Sequence, residues 1–160
     1  MRIGEIAVIG PSPADKRMFI SSICDEVEIQ HDSITFGRLT VNDELAIHLY
    51  GLDYSGDVAS PSWDLVSRKL LGYVLLFAWN DSPKGLQSIK TTIDSLTRRY
   101  QIPLIVNAHL SEKDTEIPTA LVNTHLDLSD NCFFTFCRLN EPDSVRKVLL
   151  ILVNHLIDKL

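Results

Sequence analysis

The sequence predicts an α/β domain of three layers: a six-stranded, mostly parallel sheet with one antiparallel edge strand, covered on both faces by about five helices. Three observations carry that prediction. Strand-like and helix-like segments alternate along the chain with no linker, repeat or low-complexity stretch. Two strand segments, 72–79 and 102–108, are nearly continuous apolar runs, the pattern of strands buried on both faces. Two further strands early in the chain are joined by Asn42-Asp43, a two-residue turn that fits an antiparallel hairpin.

The elements follow in order. The run 3–9 is the first strand, and 16–24 a short helix offering Met18, Phe19 and Ile23 to a core. Segments 33–41 and 44–50 are the hairpin strands, and 51–61 is a polar, glycine-containing loop. Residues 62–71 read as a helix ahead of the strand 72–79. The next helix, 84–100, carries Leu86, Ile89, Ile93 and Leu96 on one stripe. After the strand 102–108 come a short helix at 117–126, a last strand at 131–137 and a closing helix at 142–160. That last helix turns Val145, Val148, Leu149, Leu152 and Leu156 inward.

Composition sets the frame. A length of 160 residues with 45% hydrophobic and 22% charged side chains is that of one globular domain spanning 1–160. A net charge of −6 without a basic cluster argues against nucleic acid as the main partner. Cys24, Cys132 and Cys137 are odd in number and lack C-x-x-C spacing, which suits buried thiols in a reducing compartment. The first apolar run is broken by Glu5 and ended by Gly10-Pro11, unlike a secretory signal. No apolar stretch approaches the ~20 residues of a membrane span, so a cytoplasmic location is expected.

The most informative stretch is Gly10-Pro11-Ser12-Pro13-Ala14-Asp15-Lys16-Arg17, between the first strand and the first helix. An intact phosphate-binding loop reads G-x-x-x-x-G-K-[ST] in that setting. Gly10 and Lys16 are in register, but Asp15 replaces the second glycine and Arg17 the hydroxyl residue. A carboxylate about 4 Å from a phosphate charge, at an effective dielectric near 20, meets a repulsion of roughly 4 kcal/mol. Arg17 removes the hydroxyl that would ligate magnesium and puts a cation near that position. Pro13 deletes one of the N–H groups on which such a loop relies.

The same residues fit a capping box. Ser12 is then the N-cap, Pro13 the first helical residue, and Asp15 reaches back to the cap N–H. The Asp15 carboxylate would satisfy the positive end of the helix dipole, where a phosphate would otherwise bind. Three readings stand side by side here: an ordinary helix start, a nucleotide-competent loop, and an altered anion site using Lys16 and Arg17.

Other constellations carry less. The five histidines lack metal-ligand spacing, and no G-x-S-x-G elbow supports a hydrolase triad. Ser55 has no base nearby in sequence, and Asp25, Glu26 and Glu28 read as a solvated acidic run. Trp79 ends a buried strand and reads as core. Tyr54 and Trp63 flank a loop and suit either an interface anchor or packing.

Phe36-Gly37-Arg38-Leu39-Thr40 followed by Leu45-Ala46-Ile47-His48-Leu49-Tyr50-Gly51, then Ile102-Pro103-Leu104-Ile105-Val106, then Cys137 and Ser144-Val145-Arg146-Lys147-Val148-Leu149, resemble the framework of Ras-like small GTPases. The likeness is greatest to the bacterial and archaeal branch related to the gliding-motility GTPases, and it runs nearly end to end. It implies a P-loop GTPase fold with degenerate nucleotide motifs. The switch I threonine of that family would fall near His31. Its D-x-x-G step has one literal match, Asp53-Tyr54-Ser55-Gly56, while the framework puts Gly51-Leu52-Asp53-Tyr54 there. Neither register is followed by a glutamine to orient a water. The guanine-reading N-K-x-D motif is missing: its positions hold His109-Leu110-Ser111-Glu112, where only Glu112 could imitate the aspartate, and the fragment Asn107-Ala108-His109-Leu110 lacks both lysine and aspartate. The last nucleotide loop reads Arg138-Leu139-Asn140.

The resulting expectation is a pseudo-GTPase that is not an enzyme, a protein-interaction or regulatory scaffold with no catalytic residue and no metal site. GTP, GDP and magnesium binding would be lost, leaving Gly10, Lys16 and Arg17 as vestigial cofactor contacts. The resemblance implies a protein partner of the roadblock or longin type, or a related GTPase, docking through the region from Tyr54 to Trp63. A short switch I and the 51–61 loop are expected to hold one conformation. The alternative is an atypical, magnesium-independent nucleotide binder using Lys16 and Arg17. A third possibility is an unrecognised enzyme on an α/β scaffold.

Overall fold

The computed structural model describes residues 2–29, 34–52, 54–55, 58–59, 70–79, 83–99, 102–111 and 132–159. Its centre is a seven-stranded sheet in the order β2-β3-β4-β1-β7-β8-β9. The strands are β1 (Arg2–Ile9), β2 (Glu26–Ile29), β3 (Thr35–Thr40), β4 (Leu45–Leu52), β7 (Leu70–Ala78), β8 (Leu104–His109) and β9 (Cys132–Cys137). A separate two-stranded hairpin is made by β5 (Tyr54–Ser55) and β6 (Val58–Ala59). Among the described residues there are three helices: α1 (Pro13–Ile23), α2 (Pro83–Arg99) and α3 (Pro142–Lys159).

Parallel pairing of β4 with β1, β1 with β7, β7 with β8 and β8 with β9 makes the bulk of the sheet. Only β3 runs against the rest, antiparallel to both β2 and β4. The expected antiparallel edge strand is therefore the second strand from the edge, and the expected six strands are seven. The added strand, β2, comes from Glu26-Val27-Glu28-Ile29, which had read as a solvated acidic run. Its polar-apolar alternation is the signal of a half-exposed strand, and an edge strand needs a partner on one side only. Glu26, Val27 and Glu28 are all exposed.

The β3–β4 hairpin forms where Asn42-Asp43 predicts it. Asn42 Oδ1 accepts from the N–H groups of Glu44 (2.8 Å) and Leu45 (2.9 Å), a side chain substituting for backbone in a tight turn. Two boundaries differ from expectation. α1 begins at Pro13, one turn earlier than read, and β7 takes in Leu70 and Leu71, assigned above to a helix. Leu71 is the extra residue of an irregularity in the β1–β7 register, where Glu5 pairs with Leu70 and Ile6 with Gly72. The loop 51–61 also contains the β5–β6 hairpin, with Tyr54 paired to Ala59 and Ser55 to Val58. The helices expected at 62–71 (up to residue 69) and 117–126, with Trp63 and His31, lie outside the described residues.

The sheet divides the core in two, as three layers require. On one face α1 and α3 pack Phe19, Ile20, Val145, Val148 and Leu152 against Ile6, Val8, Leu49, Val74 and Leu76. On the other, α2 sets Ile93 and Leu96 against Ile9, Tyr73, Leu75, Phe77 and Val106. Met18, expected inward, is 45% exposed, because Lys16, Phe19, Ile20 and Ile23 share the buried face at i, i+3, i+4 and i+7 and position 18 lies off it. Trp79 is half-buried and meets the Phe136 ring edge-on at 5.3 Å.

The three cysteines are free thiols. Burial, with help from the Asp25 charge, pushes Cys24 up to about 12. Burial alone takes Cys132 to about 11, and Cys137 reaches about 11 although its hydrogen bond from Asn107 pulls the other way. The fold thus prefers neutral thiols. Below pH 9.0 both folded and unfolded thiols keep their protons. Above it the unfolded chain releases protons that the folded chain holds, so this contribution to stability is lost as pH rises from 9.0 towards about 11 to 12. Thermal melts across that window are expected to show Tm falling in the wild type and falling less in Cys24→Ala.

Candidate functional site

The altered phosphate loop sits at the carboxyl ends of the parallel strands, where open α/β sheets place their ligands. Gly10 closes β1 beside β7, and a Cβ at this position would run into the carbonyl oxygen and carbon of Leu76. Only glycine lets the two backbones approach so closely. This requirement comes from strand packing and holds whether or not a phosphate binds.

Ser12 is the N-cap of α1, its Oγ accepting from the Asp15 N–H at 3.2 Å, with Pro13 in the first turn. That half of the expected capping box is present. The Asp15 carboxylate does something else: its Oδ2 lies 2.7 Å from Nε2 of His109, at the end of β8. A return bond from Asp15 to the Ser12 N–H is not found among the described residues. A carboxylate oxygen only accepts, so the imidazole Nε2–H is the donor. Both side chains are largely sheltered, with 28% of Asp15 and 17% of His109 exposed. The contact links the first turn of α1, the helix after β1, to the end of β8, two strands from β1 in the sheet.

Lys16 is 3% exposed and donates from Nζ to the carbonyl of Leu52 at 3.0 Å, at the end of β4. The lysine that would reach for phosphate thus ties α1 to the strand leading into the β5–β6 hairpin. Arg17 is exposed. The three residues named from sequence as cofactor contacts are therefore dispersed: Gly10 against β7, Lys16 against β4, and Arg17 towards solvent.

The neighbouring loops are tied together. Leu110 N–H donates to Cys137 O (2.8 Å), and the Trp79 N–H to His109 O (3.0 Å). Arg138 donates from Nη1 to Ser111 O (2.9 Å), while its own N–H donates to Ser144 Oγ (2.9 Å), at the start of α3. Beneath them Asn107, fully buried, donates from Nδ2 to Cys137 Sγ at 3.2 Å. Its Oδ1 has no partner among the described residues. A cavity of about 120 Å³ lies on the α2 side of the loop, lined by Ile9, Gly10, Pro11, Leu75, Ser88, Ile89 and Thr92. Neither Asp15 nor His109 lines it.

Sequence reasoning placed His109 at the first position of the base-reading motif and recorded only a mismatch there. Its partnership with Asp15 was missed, because a contact between residues 94 apart leaves no local pattern. Among the described residues no group of three or more His, Cys, Asp or Glu side chains is placed to hold a metal. Among them, too, no helix is long and apolar enough to cross a membrane.

No family model matches the sequence, and no curated protein matches it. Solved structures do share its fold. The crystal structure of nucleolar GTP-binding protein 1 from Plasmodium falciparum superposes with a TM-score of 0.69 over 98% of this chain and 88% of that one, at 9% identity. The cytosolic domain of the T. maritima FeoB iron transporter, in its GMPPNP form, gives a TM-score of 0.63 over 97% of this chain and 64% of that one, at 13% identity. The chain therefore has the P-loop GTPase fold. The expectation that it is not an enzyme is corrected by the same finding: one of these structures is of a GTP-binding protein and the other is in a GMPPNP form, so the fold is one that carries nucleotide and altered motifs do not make the chain a non-enzyme.

Proposed function

We propose that the chain is a regulatory, protein-interaction module built on the GTPase fold, whose resting phosphate loop is held by its own Asp15 carboxylate instead of a magnesium-bound guanine nucleotide. The observation that carries this is the 2.7 Å contact between Asp15 and His109. An incoming triphosphate would meet the carboxylate at roughly 4 kcal/mol of repulsion at about 4 Å. The burial of Lys16 on Leu52 O supports the same reading, because its ammonium would have to leave a backbone acceptor to reach a phosphate. Arg17 offers no hydroxyl to magnesium.

The partner in this reading is a protein, of the roadblock or longin type or a related GTPase, docking through the region from Tyr54 to Trp63. The β5–β6 hairpin, a short antiparallel pair, falls within that region. The finer likeness to the gliding-motility branch and a cytoplasmic site of action belong to the proposal as well.

Isothermal titration of the purified chain with GTP, GDP and ATP, each with and without magnesium, tests the reading. The expected result is no saturable heat with magnesium present. Micromolar binding of a magnesium nucleotide overturns it, and micromolar binding only without magnesium favours the alternative that uses Lys16 and Arg17.

A further inference from the structure

We infer that the Asp15–His109 contact is a latch that holds three loops at the carboxyl edge of the sheet as one closed unit. The inference rests on the reading above, in which the carboxylate and not a nucleotide occupies the resting loop, and adds how that state is held and released.

The connections run in sequence. Asp15 reaches from the first turn of α1 to His109, the last residue of β8. In the sheet β8 is two strands from β1, the strand that leads into α1. The backbone of His109 is itself fixed, its carbonyl accepting from the Trp79 N–H. The next two residues carry the connection onward, Leu110 to the Cys137 carbonyl and Ser111 to the Arg138 guanidinium. Arg138 in turn reaches Ser144 in the first turn of α3, and its carbonyl accepts from the Glu141 N–H at 3.0 Å. The start of α1 is thereby joined to the start of α3 without passing through the core. The Asp15–His109 contact joins the α1 end of this path to the rest. A partner or ligand that takes either side chain frees the phosphate loop and relaxes the loops after β8 and β9 with it.

Amide hydrogen exchange on the nucleotide-free chain tests this, with Asp15→Ala as the first variant and His109→Asn as a second that breaks the contact from the other side. Alanine at position 15 removes the oxygen that accepts from His109 Nε2–H and leaves the Ser12 cap on the backbone N–H in place. The expected result is exchange at least ten-fold faster in both variants at Leu110 and Glu141, with the β8 interior amides Ile105 and Val106 unchanged. Faster exchange confined to 14–16, or spread equally over Ile105 and Val106, overturns the latch, since the first is a local cap effect and the second a global loss of stability. No change at Leu110 and Glu141 overturns it too. Because no nucleotide is present, these outcomes are separate from the titration above: a chain that binds magnesium nucleotide refutes the proposed resting state, whereas unchanged exchange refutes the latch alone.

Discussion

Replacing Gly10 with alanine is expected to lower Tm by roughly 6–12 °C with no nucleotide in the solution. The added Cβ would meet the Leu76 carbonyl, which belongs to the interior strand β7 and cannot swing aside as a side-chain tip could. Overpacking costs about 1–3 kcal/mol, and an obstacle made of backbone puts this case at the top of that range. For a chain of this size each kcal/mol moves Tm by about 2–4 °C. The result would show that the first glycine of the loop is required by the fit of β1 against β7. A shift of under about 1 °C in a thermal melt would contradict that, and return the glycine to a ligand-binding explanation.

Phe19→Ala is expected to cost about 3–5 kcal/mol. The side chain is fully buried on the inner face of α1, in the cluster with Ile6, Val8 and Val148. Removing the ring loses its transfer free energy and leaves a cavity that sheet and helix cannot close together. The loss should appear in urea as a lower midpoint with the slope unchanged, the signature of a less stable but equally compact fold. Since α1 carries Ser12, Asp15 and Lys16, its docking through Phe19 positions the whole candidate site. A cost below about 1 kcal/mol would mean that α1 is held mainly by other contacts.

The layer order and most of the strands were legible in the sequence because their physics is local. The continuous apolar run of β7 has to be buried on both faces, Asn42-Asp43 has to turn, and the stripe with Ile93 and Leu96 has to face a sheet. Ser12 and Pro13 likewise announced a helix start, though the helix was read as beginning a turn late. What escaped depended on tertiary placement. β2 is four residues at an edge, where an alternation of only two polar and two apolar residues is too short to stand out from an acidic run. Asp15 had two plausible acceptor roles within its own turn, yet its carboxylate found His109 across the sheet, and nothing in the spacing favours that partner. Lys16 kept its place in the motif, but only the fold shows its ammonium on the Leu52 carbonyl. The motif comparison drew attention to the loop after β1 and could not say which partners its side chains take. The fold comparison also removed the inference from degenerate motifs to absent catalysis, which sequence had carried too far.

The central claim is that the resting phosphate loop is closed by Asp15 and not by a bound nucleotide. The most direct measurement is the nucleotide content of the chain as purified, read by chromatography of the supernatant after denaturation. The account predicts far less than one equivalent of guanine nucleotide per chain. One equivalent of GDP or GTP would contradict it.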